Sequence, residues 1–224
     1  MISISTLLAS SLLGVAQAQE TIDVGTIRDS DMHVVQSLLY PKADRNEMGL
    51  HAGWMPFDPY TITPVLNATY TMHRSETLAY EVALGAGYGL KNNTYRQLEG
   101  PAYGVSPDAY RYLGSAIVDA QWSPIYAKMN WQGNRVFHHD VYGLVGGGLT
   151  IEQAILPDNS MAFAPTVSAG VGFRVFTSGN RVFRLQIRDD VLIEQRLKTA
   201  DTQGTFIKQN VSVTIGFSKL SEAN

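Results

Sequence analysis

The chain of 224 residues contains no cysteine, which excludes a disulfide framework, a thiolate zinc site and a thiol nucleophile. It has no excess of positive charge: the formal net charge is −3, so it lacks the basic footprint of a nucleic-acid binder. Beyond residue 18 no apolar run approaches the roughly 20 residues of a spanning helix. No lysine or arginine precedes the first apolar stretch, Leu7–Val15. That stretch still runs into Ala16-Gln17-Ala18, an A-x-A pattern that predicts a secretory signal removed after Ala18. The competing reading is a short apolar N-terminal helix. A mean hydropathy of −0.06 resembles that of a soluble protein. The value is equally compatible with a membrane barrel, because half of each strand can be polar.

What the chain does have is strict alternation. In Leu78–Leu90, Leu78, Tyr80, Val82, Leu84, Ala86, Tyr88 and Leu90 fall on even positions. The odd positions hold Ala79, Glu81, Ala83, Gly85, Gly87 and Gly89. Period two means a β-strand with one large apolar face and one small face carrying a carboxylate. Further segments alternate in the same way. Met48, Leu50, Ala52 and Trp54 oppose Glu47, Gly49, His51 and Gly53. Phe163, Val167, Val171, Phe173 and Val175 oppose Thr166, Ser168, Gly170, Gly172 and Arg174. Phe183, Leu185 and Ile187 oppose Arg184, Gln186 and Arg188; Ile207, Val211, Val213, Ile215 and Phe217 oppose Lys208, Asn210, Ser212, Thr214 and Gly216. A strand over 61–73 and less regular ones near 113–122 and 136–149 bring the total to eight. A glycine-associated bulge is expected in the last of these. Short turns at 74–77 and 177–181 contrast with longer segments at 91–112, 150–161 and 194–205, and 123–135 reads as a connection.

Short turns at one end and long loops at the other are the pattern of an outer-membrane barrel. The expected fold is therefore all-β: a small transmembrane antiparallel up-and-down β-barrel of eight strands with a short N-terminal periplasmic segment. The expected division is a signal peptide over 1–18 and a periplasmic segment over 19–45, with a short helix near 30–39. The barrel follows over 46–217 and a C-terminal tail over 218–224. The apolar faces would meet lipid. The small faces would fill a lumen too narrow for many large side chains. Glu47, Glu81, Arg174, Arg184, Arg188 and Lys208 are the expected lumenal charge network, with Asp119 and Asp140 as further members, because a lone buried charge is costly. Trp54, Tyr80, Tyr88, Trp122, Phe173 and Phe217 are expected to form aromatic girdles at the membrane interfaces. A soluble eight-stranded ligand-binding barrel would reverse the phase and carry a Lys- and Glu-rich outer face. Here that face is mostly Gly, Ser and Thr.

The segment VVQSLLYPKADRNEMGLHAGWMPFDPY resembles the entry region of the outer-membrane β-barrel domain proteins of myxobacteria and related predatory or deltaproteobacterial groups. The residues carrying the resemblance are Val35, Gln36, Tyr40, Lys42, Arg45, Glu47, Asp58, Pro59 and Tyr60, and WSPIYAKMNW with VFHHDVYGLVGGG is similar to that family's central region. The resemblance spans 30–217 through loose motifs. It implies a small barrel, a function largely unassigned, and in some relatives a ring-forming oligomer.

Motifs for chemistry are sparse. His138 and His139 are adjacent on a strand, so their imidazoles should diverge and leave no shared metal. The Gly-rich LVGGGL lacks the Lys-Ser/Thr of a phosphate loop. His51, His73 and Ser168 fall on inner faces without an evident pairing. The sequence thus points to a cofactor-free, non-enzymatic outer-membrane barrel with a structural, adhesive or lipid-organising role. Outer-membrane lipids are its expected partners, self-association into a ring is a further expectation, and no nucleic-acid partner is expected. A narrow porin-like channel is the alternative, and a lumenal or lid-gated lipid-modifying enzyme a third reading.

Overall fold

The computed structural model describes residues 40–131, 135–155, 160–177, 180–199 and 202–222. The expected signal sequence and the helix near 30–39 lie outside the described residues. The strands are β1 (Asn46–Met55), β2 (Thr61–His73), β3 (Leu78–Gly87), the two-residue β4 (Leu90–Lys91), β5 (Tyr110–Trp131), β6 (Arg135–Ala154), β7 (Met161–Thr177), β8 (Arg181–Thr199) and β9 (Thr202–Leu220). A single short helix among the described residues, α1 (Asn93–Glu99), lies in the loop after β4. No described helix is long and apolar enough to cross a membrane.

The eight long strands pair antiparallel with their chain neighbours, and β1 pairs with β9 from Glu47↔Leu220 to Trp54↔Val213, closing the ring. β4 is a side hairpin on the start of β2, through Thr61↔Lys91 and Ile62↔Leu90. The fold is an all-β, up-and-down, eight-stranded transmembrane barrel. β1 and β3 have 10 residues each, matching the 9–11 or so residues of a tilted spanning strand.

Burial alternates as period two demands, but with the polar side inward. In β3, Ala79, Glu81 and Ala83 are buried while Leu78, Tyr80, Val82 and Leu84 are exposed. In β7, Ala164, Thr166, Ser168 and Arg174 are buried, and Phe163, Val167 and Val171 are exposed. Most of the large apolar side chains of the wall therefore form the outer surface. Among the described residues the small apolar clusters lie toward the ends: Met55, Val65 and Tyr112, and Tyr95, Ala109 and Ile155, at the loop end, and Phe176, Val182 and Leu220 at the other. In water such a surface would be costly on every strand; in lipid it is the favourable one.

Two glycines show why one face must be small. Tyr142 lies across Gly172, its partner in the β6–β7 register, so a side chain at 172 would collide with the phenol ring. Gly85 sits beside Tyr112 Oη, Ser115 Oγ and Asn67 Oδ1, where a Cβ would enter the same hydrogen-bonded cluster.

Four expectations need correction. Residues 123–131 are not a connection: β5 runs through them to Trp131. Pro124 hid this, and it sits in a register slip between Trp122 and Ile125, beyond the last β3 pairing at Leu78↔Trp122, where a missing ladder donor is tolerated. The bulges fall on β5, at 112–114 and 122–125, and on β8, at 197–199, and not on the glycine-rich β6, which holds one register against β7 from His138↔Phe176 to Gln153↔Met161. The long loops at 150–161 and 194–205 shrink. β6 continues to Ala154, and β8 and β9 pair as far as Thr199↔Thr202. The wall also runs past 217 to Leu220. One end thus carries the short connections at 74–77, 132–134 and 178–180, and the other carries 56–60, the long 88–109, 155–160 and the two-residue 200–201.

Candidate functional site

The lumen is the site to which the sequence assigned charge, and β1, β3, β7 and β8 bring four of the six expected residues together near the turn end. Arg184 Nη1 lies 2.7 Å from Glu81 Oε2 and 3.3 Å from Glu47 Oε1. Arg174 Nε lies 3.8 Å from Glu47 Oε2, and its Nη1 lies 3.5 Å from Asp140 Oδ2. All five of these side chains are 0% exposed. Tyr142 joins the two arginines. Its ring lies under the Arg174 guanidinium at 4.0 Å, and its hydroxyl accepts from Arg184 Nη2 at 3.0 Å while donating to Gln186 Oε1 at 2.8 Å. Arg174 also donates to Gln121 Oε1. Glu47 accepts further bonds from Ser218 Oγ at 2.6 Å and meets His73 Nε2 at 2.9 Å; Glu81 accepts from Thr71 Oγ1 at 2.6 Å. Charges removed from water on this scale persist only when paired and bonded in this way.

The sequence did not reveal that a third cation reaches this tier from outside the wall. Lys42, 1% exposed, donates through Nζ to Asp140. The segment preceding β1 holds it there. Glu76, in the β2–β3 turn, accepts from the backbone N–H groups of Lys42 and Ala43 at 3.0–3.1 Å. Arg45 donates to the carbonyls of Ser221 and Pro41. Tyr40 stacks on Phe176 at 5.8 Å and meets His138 edge-on at 5.4 Å. Residues 40–45 therefore seat at the turn-end mouth. Lys42 in a short charged stretch before a strand gave no signal beyond its sign.

Arg188 and Lys208 do not join that tier. Arg188 lies between Asp119 at 3.8 Å and Asp190 at 3.1 Å. Lys208 sits at the loop end, donating to Glu152 Oε1 at 2.7 Å and to the Tyr110 carbonyl at 3.0 Å, with Asp58 at 3.8 Å. The six residues thus occupy three levels of one lumen.

The six aromatics named from sequence all point outward. Tyr80, Trp122, Phe173 and Phe217 lie toward the turn end of their strands, and Trp54 and Tyr88 lie at the loop end. Trp122 and Phe217 are 62% and 68% exposed, surface that only an apolar or interfacial medium favours. His138 points inward and His139 outward against Phe173, so the adjacent imidazoles diverge. Among the described residues no cluster of three or more His, Asp or Glu is arranged to hold a metal ion. The other candidates for chemistry stay apart. His51 Nε2 bonds Thr69 Oγ1 at 3.0 Å, His73 meets Glu47, and Ser168 lies opposite Gly146 and Asp190.

No family model matches this chain, and no curated protein matches it. Among solved structures it is similar to Neisserial surface protein A, with 11% identity, coverage of 78% of this chain and 95% of that one, and a TM-score of 0.41. It is also similar to Ail, the attachment invasion locus protein of Yersinia pestis, with 11% identity, 79% and 97% coverage and a TM-score of 0.44. A structure from the de novo design of transmembrane β-barrels matches with 12% identity, 80% and 98% coverage and a TM-score of 0.36. These values are too low to transfer any function.

Proposed function

We propose that this chain is a non-enzymatic, non-conducting barrel of the bacterial outer membrane, a rigid base that presents its loop-end hairpins and loops in a structural or adhesive role. One observation carries the reading: the lumen is occupied by paired, fully buried arginines and carboxylates, with Lys42 inserted at the turn end. A narrow barrel filled this way leaves no aqueous path for a pore. His51 and Ser168 are likewise buried among packed wall residues, which supports the non-enzymatic reading. What remains outside the wall is the 88–109 loop, with Tyr103 and Val105 exposed, Phe57 in the loop after β1, and the end of the β8–β9 hairpin.

Two measurements test this. Membrane fractionation should recover the mature chain in the outer membrane, whereas a folded soluble periplasmic pool would contradict it. Purified protein in planar bilayers should show no stable nanosiemens-scale openings, and such openings would favour the porin-like alternative. The resemblance to the myxobacterial barrel family adds ring assembly to the proposal. Native mass in detergent separates a ring from a single barrel.

A further inference from the structure

The lipid-facing surface of the wall carries one carboxyl group in its middle. Between Phe183 and Ile193 the outward residues of β8 are Leu185, Ile187, Asp189 and Val191. Asp189 therefore has apolar outward neighbours both above and below it on its own strand. Its register partners are Ala169 on β7 and Val211 on β9, and both of these also point outward. Val167, Val171 and Ile187 around it are 55%, 58% and 47% exposed. The chain neighbours Arg188 and Asp190 lie on the opposite face and pair with each other in the lumen. Asp189 Oδ1 has no hydrogen-bond partner among the described residues.

Acyl chains offer such a group neither a donor nor water, so facing them costs free energy. Among the described residues no other outward side chain in the middle of the apolar band is acidic or basic. The outward cations nearest along β8 and β9 are Arg181 and Lys219, which pair in register at the turn end.

A second copy of the chain supplies what this face lacks. Two barrels in one membrane share their orientation, so a two-fold axis along the membrane normal brings equal heights together and sets a residue beside the axis against itself. Two facing carboxyl groups that hold a proton between them satisfy each other, one as donor and one as acceptor. A contact between two different faces would instead set Asp189 against apolar side chains. The surroundings favour close packing. Ala169, opposite Asp189 in register, is small, and Val167, Val171 and Ile187 are β-branched, so little rotamer freedom is lost when they pack.

We propose that the β7–β9 face of the wall is a homodimer interface within the membrane, with the Asp189 carboxyl groups of two copies hydrogen-bonded to each other across a two-fold axis. Such a contact is isologous and closes at two copies, whereas a ring of more copies repeats a heterologous one. The inference rests on the transmembrane placement of the wall and not on the display role.

The test uses energy transfer between full mature chains in lipid vesicles. The chain has no cysteine, so Glu222→Cys, in the exposed C-terminal tail, takes a single donor or acceptor dye. Transfer should rise to saturation as the protein-to-lipid ratio increases. Asp189→Val removes a carboxyl from an apolar surface, so the barrel should still fold, but the ratio at half-saturation should rise about tenfold or more. Asp189→Asn, whose carboxamides also pair with each other, should stay within about threefold of the wild type. Leu84→Val, on β3 across the ring from β8, should change nothing. The inference is overturned by transfer no greater than that of barrels without contact, the result if another protein or residues 19–39 covered this face. It is also overturned by an unchanged midpoint in Asp189→Val, by an equal shift in Leu84→Val, or by an Asp189→Asn shift as large as that of Asp189→Val. Fractionation and bilayer recording judge the proposed function separately, so the two failures are distinguishable.

Discussion

At the turn end of the barrel Lys42, Arg174 and Arg184 meet Glu47, Glu81 and Asp140, three cations against three carboxylates in a space without water contact. At the loop end, among the described residues, Lys208 meets Glu152 and Asp58, and the side chains of Lys208 and Asp58 are 17% and 10% exposed. The dry end must balance its charge, because an uncompensated ion in a low-dielectric interior has no solvent to screen it. The wet end is under no such constraint, because solvent screens its charges. The barrel recruits its third buried cation from the entry segment rather than the wall, which makes closure of the turn-end mouth part of the lumen's charge balance. Burial of matched charges is concentrated at the turn end.

The comparison yields a graded set of outcomes, all readable by reversible urea unfolding in lipid vesicles. Arg184→Met should have the largest effect, about 3–5 kcal/mol of lost stability, because Glu47 and Glu81 lose a fully buried partner. Val171→Arg provides an external yardstick on the lipid face. It should cost about 2–4 kcal/mol if that position lies near the bilayer midplane. Lys42→Met should follow at about 1.5–3 kcal/mol, with part of the loss returned when Asp140→Asn is added, since the pair then disappears together. Lys208→Met should cost least, under about 1 kcal/mol, because solvent reaches that site. Equal losses for Lys42→Met and Lys208→Met would erase the distinction between the two ends.

Much of this was visible in the alternation. The parity of Leu78–Leu90, and of the segments ending at Val175 and Phe217, separates lipid-facing from lumen-facing residues, because a strand offers only two faces. Parity also places charges of both signs inward. It says nothing about height or azimuth, so which arginine meets which carboxylate is settled only by the stagger of the closed sheet: Arg184 reaches across to Glu81, while Lys208 ends at the opposite, loop end with Glu152. Pro124 masked the second half of β5, since a proline is tolerated at a bulge on a strand edge. The short helix Asn93–Glu99 was hidden in a polar loop, where its one local cue was Asn92, whose side chain caps Tyr95 N–H at 2.9 Å. Lys42 was not legible as a lumenal residue at all. Its position depends on Glu76 holding the backbone that precedes β1, a contact 34 residues away in sequence.

The account turns on an apolar outer face and a polar inner one, and neighbouring residues of β9 test it most directly. Thr214 is 4% exposed and faces the lumen, whereas Ile215 is 49% exposed and faces outward. The chain has no native cysteine, so Thr214→Cys and Ile215→Cys can each be labelled alone with an environment-sensitive fluorophore and reconstituted in vesicles containing brominated lipid. Strong quenching by the brominated acyl chains at 215 and weak quenching at 214 is the predicted result; equal quenching, or stronger quenching at 214, would contradict the assignment of this barrel to the membrane.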